Sequence, residues 1–263
     1  MKRAILATLL FAAASLASAQ PAQEKPTLLR DVGYDQRLGE QVPLDLVFRD
    51  ETGRPVPLRS LFRGRAVVLS LVYYQCPMLC TLTLNGLASA LSVLTFDVGK
   101  DFDVVTVSFE PKETPPLAAA KKKAYLERYR RPGASEGWHF LTGEAAAIAS
   151  LTRAVGFRYV WDAETRQYAH PAGLVVLTPD GRIARYMYGV EYAPRDLRLA
   201  LVEASQRRIG NPVDTVLLYC YQYDPTRGRY AASVLGLVRL GGILTVLGLG
   251  SFVLISLRRE RAA

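Results

Sequence analysis

The chain has 263 residues, with 33 Lys and Arg against 24 Asp and Glu, three cysteines and two histidines. Half of the residues are hydrophobic, which excludes wholesale disorder. Three cysteines at this length exclude a disulfide-stapled mini-protein, and two histidines exclude a His-rich metal site.

The first segment is Met1-Lys2-Arg3, a small apolar run to Leu16, then Ala17-Ser18-Ala19. A charged start, an apolar centre and a small-residue cleavage site predict a signal peptide over 1–19. Residues 20–42 are polar and mixed and read as a linker. Leu44, Leu46 and Phe48 alternate as in a half-buried strand, and after a turn at Asp50–Gly53 the chain returns through Val56 to Leu58. Ala66 to Tyr74 is a nearly continuous apolar run, the pattern of a central strand buried on both faces. From about Pro77 the period becomes helical, with Leu84, Leu87, Leu91 and Leu94 on one face.

Phe102 to Phe109 is the next buried strand, and Thr114-Pro115 opens a helix that runs to about Tyr129. Trp138 to Leu141 is a short strand, followed by a helix to about Ala154. Leu174–Leu177 and Ile183–Tyr188 form a hairpin through Pro179-Asp180-Gly181, and Arg195 to Arg207 is a last amphipathic helix. The domain over 43–208 is thus α/β, a mixed sheet flanked by helices. Residues 209–239 read as a juxtamembrane segment carrying Tyr219, Tyr221, Tyr223 and Tyr230. Leu240 to Leu257 holds no charge and predicts a transmembrane helix, with Arg258, Arg259 and Arg261 in a cytoplasmic tail over 258–263.

The formal net charge of +9 invites a nucleic-acid reading. Between the predicted signal and membrane segments, residues 20–238 carry 27 basic and 23 acidic side chains, leaving +4. The basic run Lys121-Lys122-Lys123 falls on a predicted helix, as a solvated face. Nucleic-acid binding loses its main support.

The chemistry sits in Tyr73-Tyr74-Gln75-Cys76-Pro77-Met78-Leu79-Cys80, where the central strand passes into the first helix. At i and i+4 the two cysteines share a helix face, and a helix N-terminus favours thiolates. Thiolates are soft donors that favour Cu(I), and a pair can form and exchange a disulfide. The pair alone leaves both open, along with a plain structural disulfide or two buried thiols. His170 lies in the loop before Leu174, where it can reach the start of the first helix; otherwise it is a surface histidine. Two Cys and one His would make a three-coordinate Cu(I) site, or a Cu(II) site with a solvent ligand. His139 reads as structural, Glu110 and Glu113 as surface or capping groups. Cys220 reads as a packed or unpaired thiol, with an extra ligand or a resolving thiol as its alternative.

The ordered set YYQCPMLC (73–80), VSFEPKETP (107–115), WHFLTG (138–143), YAHPAGLVVLTPDG (168–181) and YMYG (186–189) resembles the Sco/SenC family, thioredoxin-like copper chaperones of cytochrome c oxidase assembly. The likeness covers roughly residues 40–205. It implies that Cys76, Cys80 and His170 bind copper, as Cu(I) and/or Cu(II). Copper taken from an upstream donor would go to the CuA centre of oxidase subunit II. With the exported domain and the C-terminal helix, the expected place is the bacterial inner membrane, with the domain on the periplasmic side. The alternative is a thiol–disulfide oxidoreductase that keeps the CuA-site cysteines reduced, with Cys76 and Cys80 as the redox pair; no other enzymatic activity is assigned. A peroxidase would need Pro and Thr where this chain has Leu69 and Tyr73. The chain also departs from the family pattern at Met78, Leu79, Thr81, Glu110 and Pro171.

Overall fold

The computed structural model describes residues 31–209, 223–224, 229–230, 240–251 and 258. The signal peptide predicted over 1–19 and Cys220 lie outside the described residues.

Gly33–Tyr34 (β1) is already part of the fold. It pairs antiparallel with Phe157–Arg158, the N–H groups of Gly39 and Val42 donate to Ile183 O and Gly181 O, and Val42 is fully buried. The linker expected over 20–42 is therefore corrected from Gly33 onward. This stretch is anchored by backbone hydrogen bonds to distant strands, which its polar side chains do not reveal.

Val47–Arg49 (β2) and Pro55–Pro57 (β3) form the expected hairpin, with Phe48 buried. The Asp50 carboxylate closes its turn by accepting the N–H groups of Thr52 and Arg54. Every residue of Ala66–Val72 (β4) is buried, which explains the nearly continuous apolar run. Leu79–Val93 (α1) turns Leu84, Leu87 and Leu91 inward. Phe102–Ser108 (β5) is buried throughout. Pro115–Tyr129 (α2) starts after Thr114 as expected, and Ala134–Gly137 (α3) is a single turn. Trp138–Leu141 (β6) and Ala145–Ala154 (α4) follow. Phe157–Arg158 (β7), Val160–Asp162 (β8) and Gln167–Ala169 (β9) are short; Gly173–Leu177 (β10) and Ile183–Tyr188 (β11) form the hairpin, and Pro194–Ser205 (α5) completes the domain.

The central sheet has the order β11-β10-β4-β5-β6. β4, β5 and β6 are parallel, and β10 is antiparallel to both β4 and β11. Right-handed crossovers place α1 and α2 on one face, where α1 packs against both α2 and α5. Phe140 of β6 stacks with Tyr125 of α2, and Trp138 lies tilted against the same ring. The buried hydroxyls of Ser70 and Thr106 bond to each other at 2.8 Å, and the Trp138 indole N–H donates to Thr106. Three adjacent strands thus satisfy one another's buried polar groups.

This topology decides where chemistry can occur. β4 ends at the middle of the sheet and hands the chain to the cysteine loop. Because β10 runs antiparallel to β4, with Leu174 opposite Ser70, it begins at the end where β4 finishes. The loop that carries His170 is thereby delivered beside Cys76 and Cys80.

Residues 240–251 are helical and exposed. Among the described residues no helix is long and apolar enough to cross a membrane. The transmembrane helix expected over 240–257 extends past them.

Gly86 tests the seating of α1. A Cβ there would stand 1.8 Å from the carbonyl oxygen of Val190, a backbone atom with no side-chain freedom. Gly→Ala inside a helix ordinarily stabilises by about 1 kcal/mol. Here Gly86→Ala is expected to destabilise by about 1–3 kcal/mol, seen as a lower urea midpoint with an unchanged slope.

Candidate metal centre

The site is built on a loop held by a buried carboxylate. After β4, Tyr74 and Gln75 donate their N–H groups to Glu113 Oε2 and Oε1, each at 2.7 Å. Ser108 at the end of β5 donates its hydroxyl to the same carboxylate. Glu113 is buried, which corrects the expectation of a surface or capping group. Its partners lie 38 and 39 residues away along the chain, so no local pattern announces them. Glu110 remains near the surface, accepting the Lys112 N–H at 2.9 Å.

The Cys76 N–H donates to Tyr73 O at 3.2 Å, closing a turn. The helix begins only at Leu79, so Cys76 precedes it and Cys80 lies in its first turn. The expectation that both share a helix face is corrected on this point. Pro77 disfavours helical backbone at the residue before it, which keeps Cys76 out of the helix. The sulfur takes another part: Cys76 Sγ accepts the Cys80 N–H at 3.3 Å, as an N-cap side chain would.

Cys80 Sγ accepts the Tyr73 N–H at 3.3 Å and lies 3.3 Å from His170 Nε2. His170 Nδ1 is 3.0 Å from Pro171 O. A carbonyl only accepts, so Nδ1 carries the proton and Nε2 presents its lone pair to the sulfur pair. Phe109, Tyr73 and Phe157 surround the imidazole at 5.2, 5.8 and 6.3 Å between ring centres and fix its plane.

The two thiols do not titrate alike. The hydrogen bond from Cys80 pulls the Cys76 thiol well below the ordinary range against the opposing effect of burial, and the N–H groups of Cys80 and Met78 assist. Burial, then the neighbouring Cys76 sulfur, pushes Cys80 up. The pair therefore shares one proton, held on Cys80, and Cys76 is a thiolate at neutral pH.

Cys76 Sγ, Cys80 Sγ and a ring nitrogen of His170 all lie within 4.8 Å of one another, and all three residues are buried. Metal bonds of about 2.0–2.3 Å to sulfur and nitrogen place three donors about 3.5–4 Å apart in a plane, so a modest inward movement completes the site. Two soft sulfurs and an imidazole suit Cu(I) or Zn(II). The fold brings together all three residues singled out from the sequence. His139 stands on β6 outside this group, with burial lowering its pKa and Nε2 unpartnered among the described residues.

Comparison with known proteins gives consistent matches. The SCO1/SenC family model matches residues 35–204. A proposed copper-binding protein of Stutzerimonas stutzeri is 27% identical over 143 residues, 53% of this chain and 65% of that protein. The chain thus spans just under two thirds of that relative's length. A proposed electron transfer protein from Aquifex aeolicus VF5 superposes with a TM-score of 0.58 at 29% identity, covering 65% of this chain and 96% of that one. Arabidopsis thaliana ScoI, solved with copper bound, shares the fold with a TM-score of 0.50 at 19% identity over 62% of this chain and 96% of its own.

Two measurements check the site. Because Cys76 has its pKa lowered, its thiolate persists as pH falls below the usual thiol range. Its alkylation rate, followed by peptide mapping, is expected to change less than about twofold from pH 8 to 6. An unfolded-chain thiol slows by nearly tenfold per unit over that range. Glu113→Ala strands the Tyr74 and Gln75 N–H groups and is expected to cost about 1–3 kcal/mol in urea unfolding.

Proposed function

The chain belongs to the SCO1/SenC family, and on that premise we propose that it is a copper metallochaperone whose cargo is carried by Cys76, Cys80 and His170. The observation that carries this reading is the close grouping of three buried donors at the end of β4. The Stutzerimonas stutzeri relative, described as copper-binding, adds support.

Each residue has a distinct task. Cys76 is already a thiolate and binds without first losing a proton. Cys80 releases its proton as it binds, which couples uptake to pH. His170 offers Nε2, its other nitrogen being fixed by Pro171 O. Three donors, two of them soft, satisfy Cu(I) and leave room for an incoming ligand, so cargo can leave by ligand exchange.

The acceptor in this proposal is the CuA centre of cytochrome c oxidase subunit II, supplied by way of an upstream copper donor. The uncharged stretch 240–257 tethers the domain to the bacterial inner membrane, facing the periplasm. The thiol–disulfide reading gives His170 no part, whereas the 3.3 Å approach of its Nε2 to Cys80 Sγ supports the copper reading.

The full chain, reduced and anaerobic, is expected to bind one Cu(I) in competition with bicinchoninate. Cys76→Ser and Cys80→Ser should each abolish stoichiometric binding. His170→Ala should weaken it by about tenfold or more, since even the neighbours of a ligand are worth that much. Unchanged binding in all three variants would overturn the reading. Formation of CuA absorption on mixing the loaded chain with a subunit II domain tests delivery.

A further inference from the structure

Met78 stands between the two cysteines and takes no part in the three-donor group. Met78 is 65% exposed, whereas Cys76, Cys80 and His170 are 8%, 2% and 8% exposed. Its backbone is tied to the site: the N–H supports the Cys76 thiolate, and the carbonyl accepts the Leu82 N–H at 3.0 Å. The backbone is held while the side chain projects into solvent, where it forgoes the burial that a side chain of this size ordinarily contributes.

A methionine in that position has chemistry to offer. The thioether is a soft, neutral donor of the kind that selects Cu(I). It sits on an unbranched chain with three rotatable bonds. The Met78 Cα lies no more than about 7.6 Å from that of either cysteine, two spacings along the chain. Beside three donors of such low exposure, Met78 is the soft donor in this loop that solvent reaches most freely.

We propose that Met78 Sδ is an exchangeable ligand that engages Cu(I) in transit between an external donor or acceptor and the buried Cys76–Cys80–His170 group. The inference rests on the copper reading above. The metal remains Cu(I) throughout. On entry, a bond from copper to the outside ligand breaks as the bond to Sδ forms. The Sδ bond then breaks as the thiolates and Nε2 close on the ion, and the Cys80 proton leaves to solvent. Release is the reverse. A neutral thioether suits this task because it binds more weakly than a thiolate and does not retain the ion. An interaction made only in passage changes rates and leaves the equilibrium in place.

The test uses the full chain, anaerobic and reduced, with Cu(I) exchanged against bicinchoninate in a stopped-flow instrument. Met78→Leu keeps the size and apolar character and removes the donor; Met78→His restores a donor of another kind. Met78→Leu is expected to bind Cu(I) within about twofold of wild type, yet to exchange it at least about fivefold more slowly in both directions, with partial recovery in Met78→His. With methyl-13C methionine, the resonance missing from Met78→Leu should shift in wild type under substoichiometric Cu(I). Equal exchange rates in wild type and Met78→Leu, with binding intact, overturn the role of Met78 and leave the copper reading standing. Absence of Cu(I) binding by wild type overturns both.

Discussion

The antiparallel seating of β10 on β4 governs everything at the functional end of this domain. β4 is buried along its whole length, so its register is fixed by packing on both faces. Leu174 opposite Ser70 and Leu177 opposite Val67 set β10 against it. Shifting that register by one residue would send every β10 side chain to the opposite face of the sheet and carry His170 away from the sulfurs. A site made from residues 90 positions apart thus inherits its precision from the apolar core.

The loop between β4 and α1 shows how a chain holds reactive groups without regular structure around them. Four backbone donors around the site find partners there. Tyr74 and Gln75 meet Glu113, Tyr73 meets Cys80 Sγ, and Cys80 meets Cys76 Sγ. An unpaired buried N–H would cost about 1–3 kcal/mol, so these bonds confine the loop to one conformation. The sulfurs are part of the hydrogen bonding that folds the loop, and the same bonds set their proton affinities. One thiolate and one thiol are what remain when two buried sulfurs share a single proton.

Burial and exchange pull in opposite directions here. Low exposure at Cys76, Cys80 and His170 protects a soft donor set from water and oxidants. It also slows any ion that has to arrive and leave. The aromatic rings of Tyr73, Phe109 and Phe157 stiffen the histidine side of the site. On the other side, Met78 is exposed. In the proposed role of copper carrier, such asymmetry would pair a wall that defines the donors with an accessible one.

The sequence by itself determined the strands and helices whose side-chain pattern is local. β4 and β5 are rich in Val, Leu and Phe, α1 repeats leucine on one face, and the late hairpin turns at Pro179-Asp180-Gly181. The three donors were also legible, because Cys and His are scarce and two of them flank a strand-to-helix junction. Where α1 begins was read too early, although Pro77 itself restricts the backbone of Cys76. The role of Glu113 and the inclusion of residues from Gly33 onward were hidden. Both rest on hydrogen bonds to backbone far away in sequence, and such bonds leave no periodicity behind. Only the tertiary structure decided which sulfur holds the proton, because that follows from burial and from the direction of N–H groups around each atom.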